Sequence, residues 1–155
     1  MLAEVDERWL EMKPNFPFAH FLDEEDGAAV SHYFTFRELA AGTVLWREGD
    51  FGHSVVYVAE GRIEVKKETE FANKHVILGL MGERSFVGEL CLLLRGRNSA
   101  TATALTATSV LEIDSHRFDE LLKEYPVIGA KLLKGMLLGV SCQLNKSFER
   151  LVTIF

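Results

Sequence analysis

The residues of this 155-residue chain best suited to holding a ligand are concentrated in one stretch, residues 86–102. Gly88 lets backbone come close to a bound group, Glu89 follows at once with a carboxylate, and the apolar turn Leu90-Cys91-Leu92-Leu93-Leu94 leads to Arg95, Arg97 and Asn98. Two small residues, Ser99 and Ala100, then enter an alternating Thr/Ala run. A sugar-phosphate pocket needs these parts in this order. Successive N–H groups at a helix start can hold an anion, a carboxylate accepts hydrogen bonds from sugar hydroxyls, and an arginine near the far end neutralises a phosphate. The plainer reading of Gly88-Glu89 is a turn followed by a helix-start carboxylate.

Other reactive groupings are missing from the sequence. His20, His32, His53, His75 and His116 are scattered, with no spacing suited to a metal, and no nucleophile elbow, phosphate-binding Walker loop or dinucleotide fingerprint occurs. Asp114 and Asp119 read as turn and helix-start residues. No catalytic residue, metal site or cofactor is expected, and the chain is not read as an enzyme. Cys91 and Cys142 lie in apolar runs and are predicted to be buried thiols in a reducing compartment.

The elements that must position the stretch follow from periodicity. Leu2, Val5, Trp9, Leu10 and Met12 predict a short amphipathic helix over residues 2–12, ended by Pro14 and followed by a turn over residues 14–18. The acidic run Asp23-Glu24-Glu25-Asp26 opens a second helix to about residue 34. Phe16, Phe18, Phe21, Phe34 and Phe36 read as packing residues. From Leu39 the period changes to that of short strands: Val44-Leu45-Trp46, Val55-Val56-Tyr57-Val58-Ala59, Arg62-Ile63-Glu64-Val65, residues 75–80 and residues 102–113, separated by glycine-bearing or polar turns. Many short strands indicate a sandwich or barrel. One domain is expected, helical over residues 1–38, β over 39–114 and helical again over 115–155, and 48% hydrophobic content suffices for its core.

Between Pro126 and Phe155 no proline interrupts, and Leu133, Leu137, Val140, Leu144, Phe148, Leu151 and Phe155 draw one apolar stripe on a predicted helix. Its first half is more widely apolar and is expected to pack on the β portion, while the narrower second half suits a partner helix. Gly135 and Gly139 each lower helix propensity by about 1 kcal/mol. The amino terminus has no basic leader, and no segment is predicted to reach membrane-spanning length, which points to the cytoplasm. With 17 basic against 23 acidic residues, no net field gathers nucleic acid.

Gly42-Thr43-Val44-Leu45, Arg47-Glu48-Gly49-Asp50, Tyr57-Val58 and Glu60-Gly61-Arg62-Ile63-Glu64-Val65, followed by residues 86–102, the run at 103–113 and then Phe118, Leu121-Leu122 and Tyr125-Pro126, stand in the order found in a known family. The ordered set resembles the cyclic nucleotide-binding domain family over roughly residues 16–140. The resemblance implies a mainly β fold, a double-stranded β-helix or jelly-roll-like β-roll of about eight strands, with N-terminal helices and a long C-terminal helix. It also implies a stand-alone regulatory module that senses cAMP or cGMP. By the same resemblance Glu89 binds the ribose 2′-hydroxyl, the amides of Gly88, Glu89, Leu90 and Cys91 help to hold the ring, and Ser99 with the Ala100 amide contacts the phosphate. The family's phosphate-binding arginine is replaced here by Asn98, and Arg97 stands one place earlier, where a local shift in a shortened loop would let it serve. In an extended segment one residue changes the face. Loss of a charge-assisted bond of about 1.5–3 kcal/mol weakens binding roughly ten- to hundredfold.

Relatives place the long helix against its copy and near the base, for which Ser141 and Asn145 are the polar residues in question. The resemblance thus implies a homodimer and an optional protein effector. Neither DNA nor a membrane is expected as a partner, since only one helix fits after Pro126 and a helix-turn-helix needs two. The second reading of the chain is a degenerate β-roll, kept for dimerisation or protein interaction, which Asn98 favours as Glu89 favours the first.

Overall fold

The computed structural model describes residues 20–155, so the helix expected over residues 2–12 and the turn at 14–18, with Phe16 and Phe18, lie outside the described residues. Among the described residues eight strands form: β1 (Thr35–Leu39), β2 (Val44–Trp46), β3 (Ser54–Glu60), β4 (Ile63–Glu68), β5 (His75–Met81), β6 (Phe86–Val87), β7 (Thr101–Ala104) and β8 (Thr108–Asp114). They make two four-stranded sheets, ordered β1-β8-β3-β6 and β2-β7-β4-β5, in which every ladder is antiparallel.

The alternation of side chains fills the space within the roll. Leu39, Val56, Val58, Val87 and Val110 from the first sheet join Ile63, Ala102 and Ala104 from the second in one buried cluster, with Leu45, Trp46, Val65 and Met81 packed against it. Ala102 stands opposite both Trp46 and Val65, so a methyl leaves room for the indole. The opposite faces of β3 and β8 are buried too, at Val55, Tyr57, Leu111 and Ile113, which explains why Val55-Val56-Tyr57-Val58 reads as a continuous apolar run. Tyr57 meets Phe86 edge-on at 4.9 Å, and burial pushes its phenol well above the ordinary range. β5 is an edge strand that leaves Val76, Ile77, Leu78 and Leu80 exposed.

Two boundaries differ from expectation. β1 begins inside the segment read as helical: Phe34 and Phe36 stand two apart, the period of a strand, and Thr35–Leu39 finds its ladder on β8. The run at 102–113 is broken at residues 105–107 into two strands that serve different sheets. The described residues cluster into two compact units, Tyr33–Asp119 and residues 20–32 together with Glu120–Phe155.

Helix α1 (Glu24–Ser31) starts at Asp23, whose carboxylate accepts the Asp26 N–H at 2.8 Å while Asp26 accepts the Asp23 N–H at 3.2 Å. The Lys131 ammonium donates to Asp26 at 2.6 Å, and this bond raises the lysine pKa. The short α2 (Glu89–Leu94) follows β6, and α3 (Ser115–Glu124) leads through Tyr125 to α4 (Pro126–Ile154), with proline in the first turn as a helix start prefers. On α4 Gly129, Leu132, Gly135, Met136 and Gly139 are buried, whereas Leu133 and Leu138 of the first half are exposed.

Every residue from Leu144 to Phe155 is exposed, so Leu144, Phe148 and Leu151 of the stripe face solvent in the single chain. Cys142 is exposed as well, contrary to expectation, because its apolar neighbours are themselves uncovered. Also against expectation, the 29-residue α4 is long and apolar enough to cross a bilayer. Its glycines and aliphatics dilute Lys131 and Lys134 of its first half. One such helix, with a face buried in the protein, is weak support for a membrane location.

Candidate functional site

Gly88 adopts φ 93°, and a Cβ there would lie 2.7 Å from the Ser54 carbonyl oxygen and 3.0 Å from Cη2 of Trp46. The turn into α2 is thereby wedged between β3 backbone and an indole, a place only glycine fills without strain. Glu89, next in line, is half-buried and has no hydrogen bond or ion pair among the described residues. Cys91 and Leu92 are buried, while Leu90, Leu93 and Leu94 are exposed. Burial, and then the charge of Glu89, push the Cys91 thiol above its ordinary range. A thiol-specific disulfide reagent should therefore titrate one cysteine per native chain, Cys142, and reach Cys91 only after denaturation. Equal rates for both would contradict the burial of Cys91.

The far end of the stretch pairs with the turn before β3. Gly52 N–H donates to the Gly96 carbonyl at 2.9 Å, Asn98 N–H to Asp50 at 2.8 Å, and Gly49 N–H to Asn98 at 2.8 Å, with Phe51 opposite Arg97. This ladder makes the segment extended, and adjacent side chains take opposite faces. Arg97 turns outward: its guanidinium donates to the Gly49 carbonyl at 2.7 Å and lies 4.1 Å from the centroid of the Phe51 ring. Asn98 turns inward and is 6% exposed, with the Cys91 sulfur 3.2 Å from its Oδ1. Ala100 is buried and Ser99 exposed.

Three supports are not foreseen from the sequence. A Cβ at Gly52 would come within 2.5 Å of Asn98 Oδ1, so that glycine makes room for the amide. Lys67 donates to the Ser99 carbonyl at 2.8 Å and lies 3.4 Å from Glu48. The Glu68 N–H on Glu48 at 2.9 Å holds that carboxylate below the usual range. On the first sheet, Arg37 donates to Glu112 at 2.8 Å and the Ser54 hydroxyl donates to the same carboxylate at 2.8 Å, in the residue whose carbonyl meets Gly88. The two-residue spacing of Phe34 and Phe36 is the available signal for β1, whereas the pairing of Arg37 with Glu112 is nonlocal.

The structure thus gathers Gly88, Glu89, Cys91, Asn98 and Ala100 within the unit Tyr33–Asp119, with Leu90, Arg97 and Ser99 on its surface. Ser141 and Asn145 are exposed on α4 and belong to the other unit. Among the described residues no group of three or more His, Cys, Asp or Glu could hold a metal ion.

The family model of the cyclic nucleotide-binding domain matches residues 36–125. The chain is 28% identical over 116 residues to a cyclic AMP receptor protein of Thermus thermophilus, covering 75% of this chain and 53% of that protein. It is 27% identical over 121 residues to a putative potassium channel protein of Rhodopseudomonas palustris, covering 78% of this chain and 29% of that one. The chain therefore spans about half or less of these curated relatives. Among solved structures, a cyclic nucleotide-binding domain from Methylobacillus flagellatus superposes with a TM-score of 0.86 at 18% identity, covering 99% of this chain and 88% of the other. With its two sheets, its helices and more than half of its length so matched, the chain belongs to the cyclic nucleotide-binding domain family.

Proposed function

We propose that the chain is a regulatory module whose β-roll takes a ribose-bearing ligand of the nucleotide class, the class of cAMP and cGMP, and passes its occupancy to a protein effector or a second copy through α4. The observation that carries this reading is Glu89, a half-buried carboxylate without a partner among the described residues, directly after a glycine held against backbone and indole. A carboxylate so placed accepts two sugar hydroxyls with charge-assisted bonds. The amides of Gly88 to Cys91 and the Ser99-Ala100 pair supply neutral donors around it, and by resemblance to the family Ser141 and Asn145 are the polar residues of α4 that would serve the base. We place the module in the cytoplasm.

Calorimetric titration with adenosine, guanosine, cAMP and cGMP tests the reading. At least one ligand should bind, and Glu89→Gln should weaken it about ten- to hundredfold while the melting temperature stays put. Binding that is indifferent to Glu89→Gln would remove the ribose role. Silence across the panel, with a persistent dimer, would favour a β-roll kept for association, the reading that the uncharged Asn98 supports.

A further inference from the structure

We infer that this β-roll prefers an uncharged ribonucleoside to the corresponding cyclic nucleotide, because the position beside Ser99 that would meet a phosphate holds a buried carboxamide, and the arginines of its own segment and Lys67 beside it are already engaged. The inference rests on Glu89 as the ribose-binding group and concerns what lies across from it.

Asn98 is fixed on both sides by main-chain bonds to Asp50 and Gly49, and its amide lies against the bare Cα of Gly52. Its Oδ1 takes the Cys91 thiol, which burial keeps protonated and hence a donor. The NH2 group is left facing no acceptor among the described residues, although the residue is only 6% exposed. A buried donor pair without an acceptor is destabilising until something with a lone pair arrives. A hydroxyl or carbonyl oxygen satisfies it without any charge.

A phosphate monoanion would require a cation here, and those that the contacts tie to residues 88–99 and their neighbours are engaged. Arg97 is on the outer face, bonded to Gly49 and stacked on Phe51. Arg95, which closes α2, is ion-paired with Asp119. Lys67 is bonded to the Ser99 carbonyl and lies beside Glu48. Arg37 is paired with Glu112. Each would have to abandon a partner to reach a ligand. A cyclic phosphate entering this site would lose water and gain only neutral donors. The 3′- or 5′-hydroxyl of a nucleoside gives Asn98 its acceptor, and the 2′-hydroxyl bonds Glu89.

The test is the order of affinities on the intact chain, measured by calorimetry with adenosine, guanosine, 2′-deoxyguanosine, cAMP and cGMP. A nucleoside should bind about tenfold or more tightly than its own 3′,5′-cyclic phosphate, and for guanosine removal of the 2′-hydroxyl should weaken binding about tenfold. Asn98→Arg should reverse the order. Because Gly52 leaves little room beside residue 98, Asn98→Ala is the companion variant, expected to fold and to lose about tenfold in nucleoside affinity. Cyclic nucleotides binding as tightly as their nucleosides, or nucleoside binding unmoved by Asn98→Ala, would overturn the inference and leave the ligand-binding function standing. If Lys67→Ala or Arg37→Ala abolished cyclic nucleotide binding, that lysine or arginine would be the missing cation and the inference would again be wrong. No binding by any of the five ligands would end both.

Discussion

Replacing Gly61 by alanine should lower the melting temperature by about 6–12 °C, far more than the same change at Gly42 or Gly49, where an added Cβ meets nothing within 4 Å. Gly61 has φ 92°, and the new Cβ would stand 2.5 Å from Thr108 Oγ1, 2.6 Å from the Ala107 carbonyl oxygen and 2.8 Å from Thr108 Cα. Two of these are backbone atoms. The third belongs to a buried hydroxyl that accepts the Arg62 N–H at 3.2 Å and donates to the Thr106 carbonyl at 2.9 Å, so it has little freedom to move. A left-handed alanine costs about 1–2 kcal/mol and overpacking about 1–3 kcal/mol, together about 3 kcal/mol. At about 2–4 °C per kcal/mol for a chain of this size, the stated range follows. Gly96→Ala is the control, since its Cβ would meet nothing within 4 Å. Calorimetric melting that shows equal midpoints for Gly61→Ala and Gly96→Ala would contradict the packing at the β3–β4 turn.

A charge in the exposed stripe of α4 should separate two copies of the chain. Leu144, Phe148 and Leu151 are 52%, 53% and 53% exposed, and they recur at steps of four and three residues. Such a stripe is the seam of a two-helix interface, and left in water it is an association surface. Light scattering after size exclusion should give a dimer at tens of micromolar for the wild type and a folded monomer for Leu144→Glu. Two unpaired carboxylates in one apolar seam should raise the dissociation constant more than about a hundredfold. The melting of the β-roll should not change. A wild-type monomer across that concentration range would remove the dimer and the simplest route from pocket to partner.

Much of the site is legible in the sequence because its chemistry is local. Gly88-Glu89, the apolar turn and the Ser99-Ala100 pair follow one another along the chain, although the Ser54 carbonyl and Trp46 ring that leave room only for glycine at residue 88 are remote in sequence. The inner and outer faces of Asn98 and Arg97 are also within reach, but only once the segment is known to be extended, and that depends on a ladder with residues 49–52. What stays hidden is nonlocal. β1 shows only the brief alternation of Phe34 and Phe36, and its Arg37 finds Glu112 across 75 positions. β6 has two residues, too few for any period. Cys142 has the neighbours of a buried cysteine and lacks only the protein that would cover it.

The first sheet has one of its two inner strands made last. β8 lies between β1 and β3, and Phe36 must wait for Leu111 before its backbone is paired. A chain leaving the ribosome at about 5–20 residues per second therefore carries β1 unpaired for several seconds. In that interval the β4–β5 hairpin, whose contacts are near in sequence, is the piece able to form first, and it bears the exposed apolar residues of β5. Nascent chains stalled before Asp114 are accordingly the species most exposed to edge-to-edge pairing. Closing of the roll is a single late event, gated by the arrival of one strand.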